Sequence, residues 1–220
     1  MSHPKVNIYK EAKMKNSHAL SLCLMMMICC FGRCCGQRFS FGACPTVAVK
    51  DINIGHPGLL GPWVEWARTP NLKEHNWKCV SYTFFSIPAD HRLLVTLRGH
   101  NKISRSTIST IGNANLAGTV DTANNNAFRG TLSINFYNSN YFFMRNQPVV
   151  YAVVGRDAPA AAEWITLYAC KTFGFGRLEY AIILTASRSP PINGLNAALN
   201  AVTGTGLPIS VIKKTDQLGC

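Results

Sequence analysis

The chain has 220 residues, of which 47% are apolar, 10% aromatic and 15% charged. This composition excludes an intrinsically disordered chain and a coiled coil, and 17 glycines and 11 prolines are too few for collagen-like repeats. The length suffices for a domain with its own core. Basic residues outnumber acidic ones by 22 to 10, but they are scattered rather than clustered, so no nucleic-acid partner is predicted.

The first 36 residues differ from the rest of the chain. Ala19–Phe31 contains only apolar residues and cysteines apart from Ser21. Four lysines precede this run: Lys5, Lys10, Lys13 and Lys15. A membrane-spanning helix needs about 20 apolar residues, whereas a basic flank followed by a shorter apolar run is typical of a secretory signal peptide. We therefore interpret residues 1–36 as an N-terminal extension and signal peptide, with an uncleaved membrane anchor as the alternative.

The small residues Cys34 and Gly36 place the cleavage site before Gln37, and both Met1 and Met14 remain open as the start. Residues 37–220 would then form the single domain of a secreted, extracellular protein without stable membrane insertion. Four of the nine cysteines lie in this part: Cys44, Cys79, Cys170 and Cys220. An even number of cysteines in an oxidising compartment predicts two disulfides, for which three pairings are open.

From Trp63 onward, apolar residues recur with a period of two, which is typical of β-strands with one buried face. The alternation is clear at Leu93, Val95 and Leu97, and again at Leu132, Ile134 and Phe136. Further β-like runs are Trp63–Arg68, Lys78–Ile87, Pro148–Gly155, Trp164–Cys170 and Tyr180–Thr185. Turn signals stand at Pro88–Asp90, Gly112–Asn113, Asn124–Asn126 and Asp157–Pro159, and Ile103–Val120 is hard to divide. About eight strands at roughly ten-residue spacing predict an antiparallel barrel or sandwich.

One helix is predicted near the end of the chain. Pro191 precedes Asn193, which we expect to be the N-cap, and Gly204 is expected to end the helix in a left-handed conformation. The residues that share its apolar face are Leu195, Leu199 and Val202. A helix this short needs tertiary support, so this face should pack against the outside of the sheet.

The sequence lacks the common motifs of catalysis and metal binding: a phosphate-binding glycine loop, a His-Glu-x-x-His motif and a Gly-x-Ser-x-Gly elbow. The histidines after Gln37 are His56, His75, His91 and His100. None stands at metal-ligand spacing from another His or Cys, so no metal site is predicted, and only His100 is kept as a candidate haem ligand. With all four cysteines paired, no thiolate nucleophile remains. We therefore predict that the protein is not an enzyme.

Several segments resemble lipocalins. Gly61–Pro70 resembles the Gly-x-Trp signature that opens the first strand of that family. Gln37–Pro45 resembles the mature start of apolipoprotein D, and Lys214–Gln217 followed by Cys220 resembles the tail of apolipoprotein D and of the insect bilin-binding lipocalins. These three matches lie at both ends of residues 37–220.

Two further segments resemble the same family in the same order. Tyr151–Asp157 and Trp164–Cys170 match its sixth and seventh strands, and Arg188 matches its third signature. Two departures are Val64, where an aromatic residue is usual, and a run Tyr180–Arg188 about two residues longer than expected. The resemblance implies an all-β, eight-stranded antiparallel up-and-down barrel with one C-terminal α-helix packed outside.

In this subfamily the resemblance also implies the disulfides Cys44–Cys170 and Cys79–Cys220, which tie the two tails to the outer barrel wall. If Cys79 and Cys170 point outward, alternation turns the residues next to each of them inward. The inward residues, predicted to line a ligand cavity, are Val80, Tyr82, Phe84, Val95, Leu97, Leu132, Ile134, Phe136, Ile165 and Leu167, with Ala169 beside them. The same residues would equally suit a filled small-barrel core.

The resemblance assigns a second role, closing one end of the barrel, to Gly61, Trp63 and Arg188. The guanidinium of Arg188 should lie over the indole of Trp63, a contact worth about 0.5–2 kcal/mol. Glu65 and Arg68 lie near this signature in the sequence, and the resemblance assigns them no function.

The function implied is that of a secreted carrier for a small hydrophobic ligand, with a role in lipid metabolism and the oxidative-stress response. No cofactor is required, and the ligand classes are a bilin such as biliverdin, a retinoid or carotenoid, a fatty acid or a sterol. Tyr82, Phe84 and Phe136 would stack on a conjugated ligand, and Arg98 or Arg145 would meet its carboxylates at the mouth.

Two alternatives stay open. Some lipocalins are isomerases that act through a cavity thiol, and the hypothesis of such an enzyme needs a free cysteine in the mature chain. Others are subunits of coloured pigment complexes. The hypothesis of such a subunit needs a filled barrel that works through its surface, as a homo-oligomer or with other subunits.

Overall fold

The computed structural model describes residues 38–53, 58–71, 74, 76–87, 92–116, 120–121, 127–137, 148–157 and 163–220. Several of the predictions fall elsewhere. They concern the segment 1–36, the cleavage site before Gln37, the turns at Pro88–Asp90 and Asn124–Asn126, His56, His75, His91 and Arg145, all of which lie outside the described residues.

Thirteen strands and one α-helix make up the described secondary structure. The strands are β1 (Arg38–Phe41), β2 (Asp51–Asn53), β3 (Gly61–Arg68), β4 (Trp77–Ile87), β5 (Arg92–Asn101), β6 (Thr107–Leu116), β7 (Val120–Asp121), β8 (Ala127–Arg129), β9 (Thr131–Phe136), β10 (Val149–Arg156), β11 (Trp164–Phe173), β12 (Gly176–Thr185) and β13 (Lys213–Lys214). The helix α1 spans Ile192–Thr203, and a single 3₁₀ turn follows at Ile209–Val211.

Eight of the strands form a closed antiparallel barrel. β3, β4, β5, β6, β9, β10, β11 and β12 pair in chain order, and β12 pairs back with β3 to close it. This confirms the predicted up-and-down barrel. Closure removes the exposed sheet edges that an open sheet of this size would present. β1 adds to β12, and a separate small sheet is formed by β2, β8 and β7.

The prediction of a turn at Gly112–Asn113 was wrong. Both residues lie inside β6, where Gly112 pairs with Val95 on one side and Phe136 on the other. A Cβ at Gly112 would lie too close to the backbone carbonyl of Asn135. Glycine is therefore needed here because β6 and β9 approach each other closely, and not because the chain reverses direction.

The helix α1 packs on the outside of the barrel against β10, β11 and β12, as predicted. Ala198 and Val202 are its buried residues, whereas Leu195 and Leu199 are only partly buried. Gly155 on β10 permits this close approach, because a Cβ there would collide with the Cβ of Ala201.

Both predicted helix ends need correction. The N-cap is Pro191 and no side chain caps the helix, because the first turn begins one residue before Asn193. Gly204 has φ −59°, so the chain is still right-handed there, and the positive φ falls at Gly206 (φ +86°).

Both disulfides form as expected, Cys44–Cys170 and Cys79–Cys220, with sequence separations of 126 and 141. The C-terminal tail, however, does not simply lie on the outer wall. β13 pairs with the last two residues of β3, and the Cys79 N–H on β4 donates to the carbonyl of Asp216 at 2.9 Å. Residues 213–216 therefore fill a seam between β3 and β4, because these two strands pair directly only over Gly61–Val64.

Candidate ligand site inside the barrel

The barrel interior is apolar along most of its wall. All ten residues predicted to line a cavity belong to, or pack against, one interior cluster of side chains. Nine of them are buried, and Phe136 is partly buried. Their inward orientation follows from strand alternation, but their role in ligand binding stays a prediction.

A bulge in β4 brings Trp77 into this interior as well. Lys78 pairs with His100 and Ser81 with Arg98, so Cys79 and Val80 together oppose the single residue Gly99. Cys79 takes a positive φ of 56° at this bulge, a conformation that L-residues rarely adopt. Because one residue is extra, the inward phase changes from odd to even between Trp77 and Val80, which simple alternation from Cys79 does not predict.

A second irregularity, in β3, turns two charged residues inward. The pairing with β12 shifts between Ile183 and Leu184, which leaves Trp66 as the extra residue of a bulge. Glu65 and Arg68 therefore both face the interior although they are three positions apart. Arg68 Nη1 contacts Glu65 Oε1 at 2.5 Å, and both side chains are buried.

Glu65 and Arg68 are the centre of a group that we name the buried polar cluster. Its members are Glu65, Arg68, Asn71, Glu74, Tyr82, Tyr180 and Thr215. Thr215, from the tail in the β3–β4 seam, donates to Glu65 Oε1 at 2.6 Å. Tyr82 on β4 donates to Glu65 Oε2 at 3.4 Å. The cluster is thus held by β3, β4 and the C-terminal tail.

Glu74, in the connection between β3 and β4, forms the other half of the cluster. Its Oε2 accepts from Asn71 Nδ2 at 2.6 Å and from the Tyr180 hydroxyl at 3.2 Å, and lies 3.4 Å from Arg68 Nη1. Arg68 Nη2 also donates to the Glu74 carbonyl. One guanidinium therefore serves two buried carboxylates.

Burial and the shared cation set the ionisation of the cluster. Burial raises the pKa of Glu65 to about 7, with a further rise from Glu74, and Arg68, Thr215 and Tyr82 only partly offset this. Burial opposes the charge of Arg68, but its acidic neighbours outweigh that effect and hold its pKa above the usual range. Burial also raises the pKa values of Tyr82 and Tyr180, so both hydroxyls stay protonated and able to donate at neutral pH.

Two polar groups of the interior have no hydrogen-bond partner within the described parts of the chain. Tyr151 on β10 is 6% exposed, and burial followed by the charges of Glu74 and Glu65 raises the pKa of its hydroxyl. Thr110 on β6 is 9% exposed and its Oγ1 is unpaired. Thr110 pairs with Leu97 on β5, Leu97 pairs with Tyr82 on β4, and Tyr82 pairs with Trp63 on β3. These four residues therefore form one row across the barrel wall. Burying an unpaired hydroxyl costs about 1–3 kcal/mol, so such groups mark places where a further partner would fit.

Solved structures with the same barrel share little sequence with this chain. Insecticyanin from the tobacco hornworm Manduca sexta has 17% identity and a TM-score of 0.65, over 82% of this chain and 89% of that one. H1 crustacyanin from the lobster Homarus americanus has 15% identity and a TM-score of 0.60, over 82% and 91%. The amine binding protein of Rhodnius prolixus, solved with tryptamine, has 11% identity and a TM-score of 0.54, over 79% and 86%.

The chain has the lipocalin fold. No family model matches its sequence, and no curated protein does so either. The narrower resemblance to apolipoprotein D therefore stays a prediction.

The lipocalin signature residues Gly61, Trp63 and Arg188 do not meet as predicted. Trp63 is buried and its indole N–H donates to the Leu59 carbonyl at 2.9 Å. Arg188 is exposed and donates from Nη2 to the Cys220 carbonyl at 3.2 Å. The reason is that β12 ends at Thr185, and the three residues after it carry Arg188 beyond the barrel into an exposed bend.

Two further candidates, Arg98 for the mouth and His100 as a haem ligand, also face away from the barrel interior. Arg98 is exposed because it alternates with the inward Leu97. His100 is exposed as well, and its Nδ1 lies 3.2 Å from Thr107 Oγ1, so it does not point into the barrel as a haem ligand would.

Among the described residues, no group of three His, Cys, Asp or Glu side chains could hold a metal ion. Nor does that part of the chain contain a helix long and apolar enough to cross a membrane.

Sequence reasoning missed most of the polar cluster. Glu65 could have been found, since alternation from Trp63 already places it inside. Arg68 depends on the β3 bulge, and Thr215 depends on a tail that enters a seam, so neither has a local signal.

Proposed function

We propose that this protein is a secreted carrier that holds a small hydrophobic ligand inside its lipocalin barrel. The observation that supports it best is the interior wall, where aromatic and aliphatic side chains from all eight barrel strands dominate. Burial of an apolar ligand against such a wall contributes about 25 cal/mol per Å² of surface removed from water, less the costs of association.

The likeness to insecticyanin, crustacyanin and the amine binding protein supports the fold of a carrier, and the two disulfides suit an extracellular protein. Bilins such as biliverdin, retinoids, carotenoids, fatty acids and sterols remain the ligand classes of the proposal, and a role in lipid metabolism or oxidative stress would follow from which of them is carried.

The thiol isomerase alternative has less support. Cys44, Cys79, Cys170 and Cys220 are all disulfide-bonded, so the described residues offer no thiolate for that chemistry. A pigment-complex subunit with a filled barrel is the competing proposal.

A matched pair of variants on β10 separates the carrier from the filled barrel. Val153 points inward and is fully buried, whereas Val150 on the same strand is 52% exposed. We expect the protein to bind the neutral probe N-phenyl-1-naphthylamine with a rise in fluorescence, Val153→Phe to weaken binding at least about tenfold, and Val150→Phe to leave it unchanged. Absence of binding by the folded wild type would favour the filled barrel.

The occupant itself can be identified by extraction. Protein from the natural source should give an absorption spectrum and, after organic-solvent extraction, a mass spectrum of the bound molecule. A visible band with an extractable tetrapyrrole or polyene would indicate pigment carriage, whereas a colourless extract of fatty acid or sterol would indicate lipid transport.

A further inference from the structure

The charge balance of the interior is the starting point. Glu65 and Glu74 are both buried, and among the described residues Arg68 is the one buried side chain with a positive charge. Two ionised carboxylates and one guanidinium leave one excess negative charge inside the barrel. An uncompensated buried charge is strongly unfavourable, so the site gains from either a proton or a cation.

Both terminal nitrogens of Arg68 already contact protein acceptors. Nη1 contacts the carboxylates of Glu65 and Glu74, and Nη2 donates to the Glu74 carbonyl. A ligand carboxylate would meet two like charges and a guanidinium whose terminal nitrogens already contact those carboxylates and the Glu74 carbonyl. The interior is therefore unfavourable for the anionic end of a fatty acid or bilin.

An unpartnered group independently points to a ligand. The side chain of Tyr151 on β10 is more than nine-tenths buried, and the charges of Glu74 and Glu65 act on its hydroxyl. It makes no hydrogen bond within the described part of the chain, so it can accept one from a ligand N–H. The unpaired Thr110 Oγ1 on β6 is a second acceptor in the same interior.

We propose that the ligand is an apolar amine in its ammonium form, with the charged nitrogen against Glu65 and Glu74 and the apolar body among the interior side chains. The inference rests on the proposed carrier function and names for it a ligand class, an amine, that the resemblance to lipocalins did not supply. An ammonium group offers three N–H donors and no acceptor, which suits a wall of carboxylates and unpaired hydroxyls.

Binding of an amine would be linked to pH through Glu65, because this carboxyl takes up a proton when no cation is present. The titratable groups that face Glu65 are Arg68, Glu74, Tyr82, Tyr151 and Tyr180. An ammonium must replace its proton, so affinity for an amine should rise about tenfold from pH 6 to pH 8, whereas affinity for a neutral ligand should not.

The test compares three molecules of equal chain length, decylamine, decanol and decanoate, as competitors of N-phenyl-1-naphthylamine on the full disulfide-bonded protein. At pH 8 we expect decylamine to bind roughly ten- to a hundredfold more tightly than decanol, and decanoate more weakly than decanol. Glu65→Gln should bring the ratio of amine to alcohol affinity close to one. Glu179→Gln is the matched control, because Glu179 is equally buried but bonds to Tyr168 and Ser40 on the outer face.

Each outcome separates the two proposals. Binding of decanol and decanoate without preference for decylamine would overturn the amine inference and leave the carrier function standing. Failure of all three molecules and of the probe to bind would overturn the carrier function itself. If Glu65→Gln does not fold, Glu74→Gln serves as the second variant, and an amine preference that survives in the folded variant would place the nitrogen elsewhere and overturn the inference.

Discussion

The substitution Glu65→Gln should remove a pH-dependent loss of stability that the wild type carries. The pKa of Glu65 is raised by burial from 4.5 to about 7 in the folded chain, so between these values the folded chain holds a proton that the unfolded chain has released. The resulting stabilisation is fully present below pH 4.5 and is lost as the pH rises through about 7.

The size of the effect follows from the two pKa values. Between pH 5 and pH 8, the wild type should lose roughly 2–3 kcal/mol of unfolding free energy through this carboxyl alone, since each pKa unit corresponds to about 1.4 kcal/mol. Glutamine has nearly the same shape but no charge, so the variant should gain that amount relative to the wild type over the same interval.

Urea unfolding followed by tryptophan fluorescence, with both disulfides intact, measures the difference at each pH. Ile182→Val is the control, because it removes one methyl group from the fully buried Ile182 on β12 and should cost about 1 kcal/mol at both pH values. If the difference between Glu65→Gln and the wild type were the same at pH 5 and pH 8, the raised pKa of the buried carboxyl would be refuted.

Three further experiments test other features. The double variant Cys79→Ala, Cys220→Ala should lose about 4–5 kcal/mol of unfolding free energy by the loop-entropy model, and urea midpoints near those of the wild type would contradict this. Gly155→Ala should lose about 1–3 kcal/mol and Ala201→Gly should restore part of it, a rescue that independent sites would not show. Thr215→Val removes a hydrogen bond that lowers the pKa of Glu65, so the pH-dependent loss of stability should shift to higher pH. An unchanged dependence of the unfolding free energy on pH would argue against that bond.

Alternation predicted much of the barrel once the disulfides implied by the resemblance had set its phase. Starting from the outward Cys79 and Cys170, a period of two correctly placed Tyr82, Phe84 and Leu167 inside. The method works because strands in one barrel share a wall, and a one-residue slip would expose the whole apolar face.

The same rule fails wherever a bulge adds a residue. Trp77 and Arg68 lie in the interior only because β4 and β3 each contain a bulge. The position of a bulge depends on how two strands pair and not on the local sequence. The prediction that Arg188 lies over Trp63 was wrong for a related reason, because the position of Arg188 depends on where β12 ends. The polar cluster could therefore be recognised only once the pairing of the strands was known.

The tail in the β3–β4 seam bears on the order in which the molecule folds. Thr215 reaches Glu65 across 150 positions of sequence, and Gln217 Nε2 joins the carbonyls of Glu65 and Val80 at 2.9 and 3.0 Å. Contacts between such distant residues form slowly, because a long loop must close first. Most of the apolar wall can assemble from strands that follow one another in the chain, with one distant pairing, β12 to β3, to close it, whereas the polar cluster also needs the last segment of the chain to dock. Maturation of the interior is thus expected to lag behind formation of the barrel, and Cys79–Cys220 would fix that final state covalently.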